Sequence, residues 1–302
     1  MVIKRTDILG ALAYLVIWGG AVGYLAHKGA DWTFPLQSLG IFGIALSALA
    51  WLLTLGAKPP EIPVKRPALE TSVLLIFLAL YATVFLVWGM NTLRHGLPPG
   101  REQELLVLGV KLLVHVGLPV LLLLALGAAV QPLFGLRIAT RSVWLTFIVL
   151  GAVLMGLLCV VSPALKQIAD LHAPVTTLAW AGPAFFLWIA VEAGLCEEFL
   201  FRAVLQTRLS ALFNSAVAGV LVTSLLFGLA HFPGLYLRGN AEVDGWSTDP
   251  FQVIAYTIAT LSPISLLFGF IYARTKSLLL VVLLHACVDV LPNLADFVRM
   301  WS

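Results

Sequence analysis

Apolar positions in this chain do not alternate; they run. Nine stretches dominated by Leu, Ala, Val, Ile and Phe lie at about 8–26, 36–56, 71–90, 104–126, 142–161, 183–209, 214–231, 251–272 and 277–294. A helix of about 20 apolar residues crosses a hydrocarbon core of about 30 Å. Membrane β-strands would alternate lipid-facing and lumen-facing residues, which these runs do not. The pattern predicts an all-α, polytopic transmembrane helical bundle of about eight to nine spans. Between the runs, "KPPEIPVKRPALE", "GLPPGREQE", "HFPGLYLRGNAEVDGWSTDP" and "ARTKS" carry the Pro, Gly and charge expected of loops. On this reading "FPG" closes the seventh helix just after His231.

Composition agrees with the pattern. Of 302 residues, 61% are hydrophobic and 11% charged, against roughly 25% charged in a soluble domain. The N-terminal "MVIKRTDILGALAYLVIWGG" resembles a signal peptide, but no small-residue cleavage site followed by a soluble mature chain is seen, so it reads as a retained first span. A net charge of +3 is too small to suggest a nucleic-acid partner; the bilayer is the expected one. With nine spans and the N-terminus inside, the inner segments hold eleven Lys and Arg, Arg202 and Arg208 among them, and the outer segments six. That bias favours N-in, C-out. Cys159, Cys196 and Cys287 lack metal-ligand spacing and read as small packing hydrophobes. Trp18, Trp51, Trp88, Trp144, Trp180 and Trp301 read as interface belt, and Gly219, Gly228 and Gly269 as points of close helix packing.

Charge is distributed unevenly among the spans. The first five carry little beyond Lys111 and His115, whereas the last four carry Glu192, Glu197, Glu198, Arg202, His231, His285 and Asp289. The chain therefore divides loosely into framework spans over 1–170 and a chemical core over 171–302. An ionisable side chain at mid-membrane costs about 2.5–3.5 kcal/mol on insertion scales and usually faces a bundle interior or wet cavity. Glu198 and Arg202, four apart in "EEFLFR", share a helix face and can pair. His231 ends "FGLAH", and His285 and Asp289 are four apart in "HACVD". Counting at about 1.5 Å per residue, Glu197 lies roughly 18 Å and His231 roughly 25 Å from the turn near 209–214. His285 and Asp289 lie roughly 12 and 18 Å from Ser277. Allowing for tilt of about 20°, all four can converge near mid-membrane.

Taken in order, "EEFLFR", "FGLAH" and "HACVD" resemble the EExxxR, FxxxH and HxxxN/D motifs of the CPBP family. These are intramembrane endopeptidases similar to the type II CAAX prenyl protease, and they include the bacterial Abi bacteriocin-immunity proteins. The resemblance covers roughly residues 180–294. It implies a conical intramembrane catalytic cavity, a membrane-associated protein or peptide as substrate, and a bacterial cytoplasmic membrane as location. It also implies that Glu197 activates water with His231 as its partner, that Glu198 and Arg202 support that glutamate, and that His285 and Asp289 stabilise the oxyanion. The eukaryotic protease has asparagine where this chain has Asp289. An ionised carboxylate accepts rather than donates, so Asp289 is either protonated or orients His285 as an acceptor, and the orienting role is the one expected.

The residues support such chemistry on their own. Peptide hydrolysis needs a base for water, a proton for the leaving amine and donors to the tetrahedral oxyanion. Two adjacent glutamates can divide the work: Glu198 bound to Arg202, Glu197 facing water. No cofactor is required, although Glu197, His231 and His285 could instead hold zinc in a metal-dependent version of the same protease. A proton-coupled transporter or a non-catalytic scaffold could use the same intramembrane charges structurally or as a relay. Lys111 and His115, four apart in the fourth span, could form a polar stripe near its start, although lysine can snorkel; they read as structural or substrate-side, not as catalytic. Glu192 faces away from Glu197 and is expected to find a partner elsewhere.

Overall fold

The computed structural model describes residues 4–302, which contain helices and no strand. Eight helical stretches are long and apolar enough to cross a membrane. They are α1 (Arg5–His27), α2 (Thr33–Leu53), α3 (Pro67–Gly96), α4 (Arg101–Ala125), α5 (Arg141–Val161), α7 (Ala216–Arg238), α8 (Pro250–Thr275) and α9 (Leu278–Trp301), with α6 (175–212) between α5 and α7. Helix α6 is one uninterrupted helical run and corresponds to the expected span 183–209, the one loaded with glutamates.

Burial is uneven along the chain. Within the most apolar windows of α8 and α9, 61% of residues are buried, against 17% in α2 and α4. Helices α8 and α9 therefore lie inside the bundle, whereas α2 and α4 leave most of their surface uncovered by protein. One hydrophobic core nevertheless runs from Leu46 in α2 to Val298 in α9 and joins both parts. Helix α9 packs on α5 and α6, and α7 packs on α8 and α1. Lipid tails are as apolar as Leu, so close van der Waals packing through small residues must hold such helices together. Gly228 shows how tight this is: a Cβ there would stand 2.7 Å from the Thr257 carbonyl of α8.

Several expectations are corrected. "FPG" does not end the seventh helix. The chain turns at His231 and continues helically from Phe232 to Arg238. Proline at Pro233 lacks the N–H that would bond back to Leu229, so the helix breaks at His231 rather than stopping. Trp18 is not a belt residue; it is buried and donates from its indole N–H to the Ala259 carbonyl at 2.9 Å. Cys196 and Cys287 are buried, while Cys159 is exposed on the outer face of α5. Lys111 does not snorkel; it turns inward.

Candidate active site

Helix α6 places Glu197 and Glu198 side by side, and the environment separates them. Glycine at 194 lets this helix press against α9: a Cβ there would meet the Val282 carbonyl at 2.8 Å. Glu198, facing that contact, is fully buried with its Oε2 3.0 Å from Arg202 Nε. The buried guanidinium of Arg202 lies over the Phe227 ring at 4.7 Å and the Phe268 ring at 5.9 Å. Aromatic faces attract cations, so this charge has a carboxylate on one side and π-faces on others. Glu197 keeps 18% of its side chain exposed.

The histidines arrive from α7 and α9. His231 Nδ1 donates to the Phe227 carbonyl at 2.8 Å, one turn back on the same helix. That bond fixes the proton on Nδ1 and leaves Nε2 pointing to Glu197 Oε2 at 3.8 Å. His285 stacks on Phe268 with ring centroids 5.4 Å apart. Its Nδ1 is 2.8 Å from Glu198 Oε1, and its Nε2 is 3.1 Å from Asp289 Oδ2 and 3.9 Å from Glu197 Oε2. All six residues singled out from the sequence thus meet in one cluster, drawn from three helices as their depths require.

Glu197 opens onto two cavities. One, of about 470 Å³, is lined by Tyr81, Phe85, Phe201, His231, Leu235 and Arg238 among others. The other, of about 460 Å³, is lined by Phe185, Trp188, Glu192, Asp289, Asn293 and Trp301 among others. Among the described residues, no group of three His, Cys, Asp or Glu side chains is arranged to hold a metal ion.

Residues 179–291 match the family model described as type II CAAX prenyl endopeptidase Rce1-like. The similarity covers 113 of the 302 residues, and in that segment the chain resembles the Rce1-like family. The match begins in α6, ends in α9 and contains the whole cluster from Glu197 to Asp289, while α1 to α5 lie outside it. The family that this segment resembles is described as a prenyl endopeptidase. No curated protein and no solved structure matches the chain significantly.

Two ion pairs around the Rce1-like core were not assigned from the sequence. Lys111 Nζ on α4 is 2.5 Å from Glu192 Oε1 on α6, with only 13% of the lysine side chain exposed. One turn along, His115 Nδ1 donates to the Lys111 carbonyl at 2.9 Å, and its Nε2 accepts from Tyr81 Oη at 2.9 Å. The Glu192 partner expected elsewhere is therefore Lys111. The second pair, Glu70 with Arg208 at 3.2 Å, is fully buried and joins α3 to α6. The only sequence signal for the first pair was its cost: three ionisable groups in apolar runs, each needing a partner.

Proposed function

We propose that this protein is an intramembrane endopeptidase that hydrolyses a membrane-associated protein or peptide through water activated by Glu197. The observation that carries this reading is the unequal placement of the two glutamates. Glu198 is buried between Arg202 and His285, whereas Glu197 faces two cavities with His231 Nε2 at 3.8 Å. A water between Glu197 and His231 loses a proton to the carboxylate as its oxygen attacks the peptide carbonyl. The tetrahedral intermediate then breaks at the C–N bond, and the proton passes to the leaving amine by way of Glu197 or His231. Asp289 accepts from His285 and holds its ring in place. An N-terminus on the cytoplasmic side of a bacterial membrane fits the distribution of Lys and Arg.

We take this hydrolysis to be independent of metal. Elemental analysis of the purified protein and the effect of chelators on cleavage test that choice against the zinc alternative. The reading as a whole is tested by a cleavage screen of co-expressed, membrane-anchored peptides, comparing wild type with Glu197→Ala and His231→Ala. Cleavage by wild type alone is expected. Equal cleavage by all three proteins would sink the assignment of this site, and ion-coupled flux in liposomes without proteolysis would favour the transporter.

A further inference from the structure

Oxyanion stabilisation needs a donor, and few donors with a free hand face the cavities at Glu197. Asp289 is an acceptor when ionised. His285 has Glu198 at one nitrogen and Asp289 at the other. His231 commits Nδ1 to the Phe227 carbonyl and turns Nε2 to Glu197. The Arg202 guanidinium, whose N–H groups find no hydrogen-bond partner among the described residues, packs against Glu198, Phe227 and Phe268 and lines neither cavity. Tyr81 gives its hydroxyl to His115. Arg238 donates from Nη1 to the Leu86 carbonyl and Asn91 Oδ1 and, although no hydrogen bond from its Nε or Nη2 is found among the described residues, lines only the larger cavity.

Lys111 differs from all of these. Two residues line both cavities, and they are Glu197 and Lys111. Lys111 therefore borders both of the cavities onto which Glu197 opens. Its ammonium has three N–H donors. One is held by Glu192, and no other hydrogen bond from Nζ is found among the described residues. Its backbone is fixed as well, through the His115 bond to the Lys111 carbonyl and the Tyr81 bond to His115. A cation oriented in a low-dielectric site, with donors to spare and no reorganisation needed, is what a developing oxyanion requires.

Building on the protease reading, we propose that Lys111 is a further catalytic residue of the reaction. Its ammonium donates to the carbonyl oxygen of the scissile peptide, and Glu192 is the positioning residue that holds it there. No proton is transferred in this contact. The N–H donors of Lys111 strengthen their hydrogen bonds as charge grows on the oxygen, and relax when the C–N bond breaks. The catalytic centre is then completed by α4, outside the Rce1-like segment.

The test uses the full-length protein and whichever peptide of the membrane-anchored library wild type cleaves. Lys111→Met should lower kcat by 100-fold or more, on the order found when one oxyanion donor is removed, and change KM by less than threefold. Because Lys111→Met leaves Glu192 without its cation, the deciding variant is Lys111→Met combined with Glu192→Met, which replaces the pair by apolar side chains. A merely structural pair is restored by that exchange. A donor to the oxyanion is not: kcat stays at the Lys111→Met level although thermal stability returns to that of wild type. As a second readout, Lys111→Cys should be inactive and regain activity after aminoethylation rebuilds the ammonium. Recovery of kcat in the double Met variant, or no loss in Lys111→Met, overturns the inference while leaving the role of Glu197 intact. If wild type cleaves no peptide of the library, or Glu197→Gln cleaves as well as wild type, the protease reading fails and this inference fails with it.

Discussion

Glu198 Oε1 accepts a 2.8 Å hydrogen bond from His285 Nδ1, so a fully buried carboxylate on α6 fixes an imidazole on α9. The same carboxylate meets Arg202 through its other oxygen at 3.0 Å. Glu198 therefore ties together two charged or polar partners inside the bundle, while its neighbour Glu197 touches open space.

This difference predicts opposite phenotypes for adjacent substitutions. Glu198→Gln leaves Arg202 as a buried charge without its partner, which costs about 3–5 kcal/mol. Glu197→Gln breaks no short contact and should change stability by less than about 1 kcal/mol, while abolishing cleavage. Denaturant unfolding in detergent and peptide cleavage, measured on both variants, check the contrast. Equal destabilisation by the two substitutions contradicts it.

Packing behind His231 should matter as much as the imidazole. Gly228 lies one turn before it, where an added Cβ would stand 2.7 Å from the Thr257 carbonyl. Gly228→Ala must push α7 away from α8, at a cost of about 1–3 kcal/mol, and carry His231 away from Glu197. Cleavage should fall by at least tenfold in a protein that remains folded by circular dichroism. Ala at Gly182, where no atom lies within 4 Å of the added Cβ, is the matched control and should be silent.

The helical bundle was legible because lipid leaves a chain few alternatives: apolar runs of spanning length are helices. The cluster was legible because its residues recur at helical spacing and comparable depth, which brings Glu197, His231, His285 and Asp289 together without any knowledge of helix order. Partners from distant helices were not legible. Arg208 counted as an inner-loop cation, yet it is fully buried against Glu70, 138 positions away. With Arg202 also buried, the inner surplus of Lys and Arg narrows from eleven to nine against six. For Lys111 the general reach of lysine left the interface open, and only the placement of Glu192 on the facing helix turns it inward.

The Glu70–Arg208 pair should hold framework and core together. Glu70 Oε1 accepts from the Arg66 backbone N–H at 3.0 Å and Oε2 from Arg208 Nε at 3.2 Å. Glu70→Gln removes the countercharge of a buried guanidinium and should cost about 3–5 kcal/mol. Joint replacement of both residues by Met should recover most of that loss, since apolar packing at such sites is often neutral or better. Unfolding midpoints of the two single variants and the double variant form a cycle that isolates the coupling. Additive losses would show that the pair does not couple the two parts.

At the opposite end of the bundle, stability should depend on pH through Lys28 and Asp249. Lys28 Nζ lies 2.8 Å from Asp249 Oδ2 and links the end of α1 to the start of α8. Hydrogen bonding to Lys28 holds the Asp249 carboxyl below its ordinary value, and the same bond raises the Lys28 ammonium. The depressed carboxylate stabilises the fold above its unfolded pKa of about 3.9, and that contribution is lost as pH falls through the lower folded value. The raised ammonium stabilises below about 10.4, and its contribution is lost as pH rises through the higher folded value. Lys28→Met should therefore lower Tm by a constant, small amount between these limits, since exposed pairs are weak and screened by salt. The difference from wild type should shrink towards zero in acid and in strong base, and also in high salt at neutral pH. A Tm difference that persists unchanged below pH 3 would mean that Lys28 acts through its aliphatic stem on Tyr24, over whose ring the ammonium lies at 5.4 Å, rather than through Asp249.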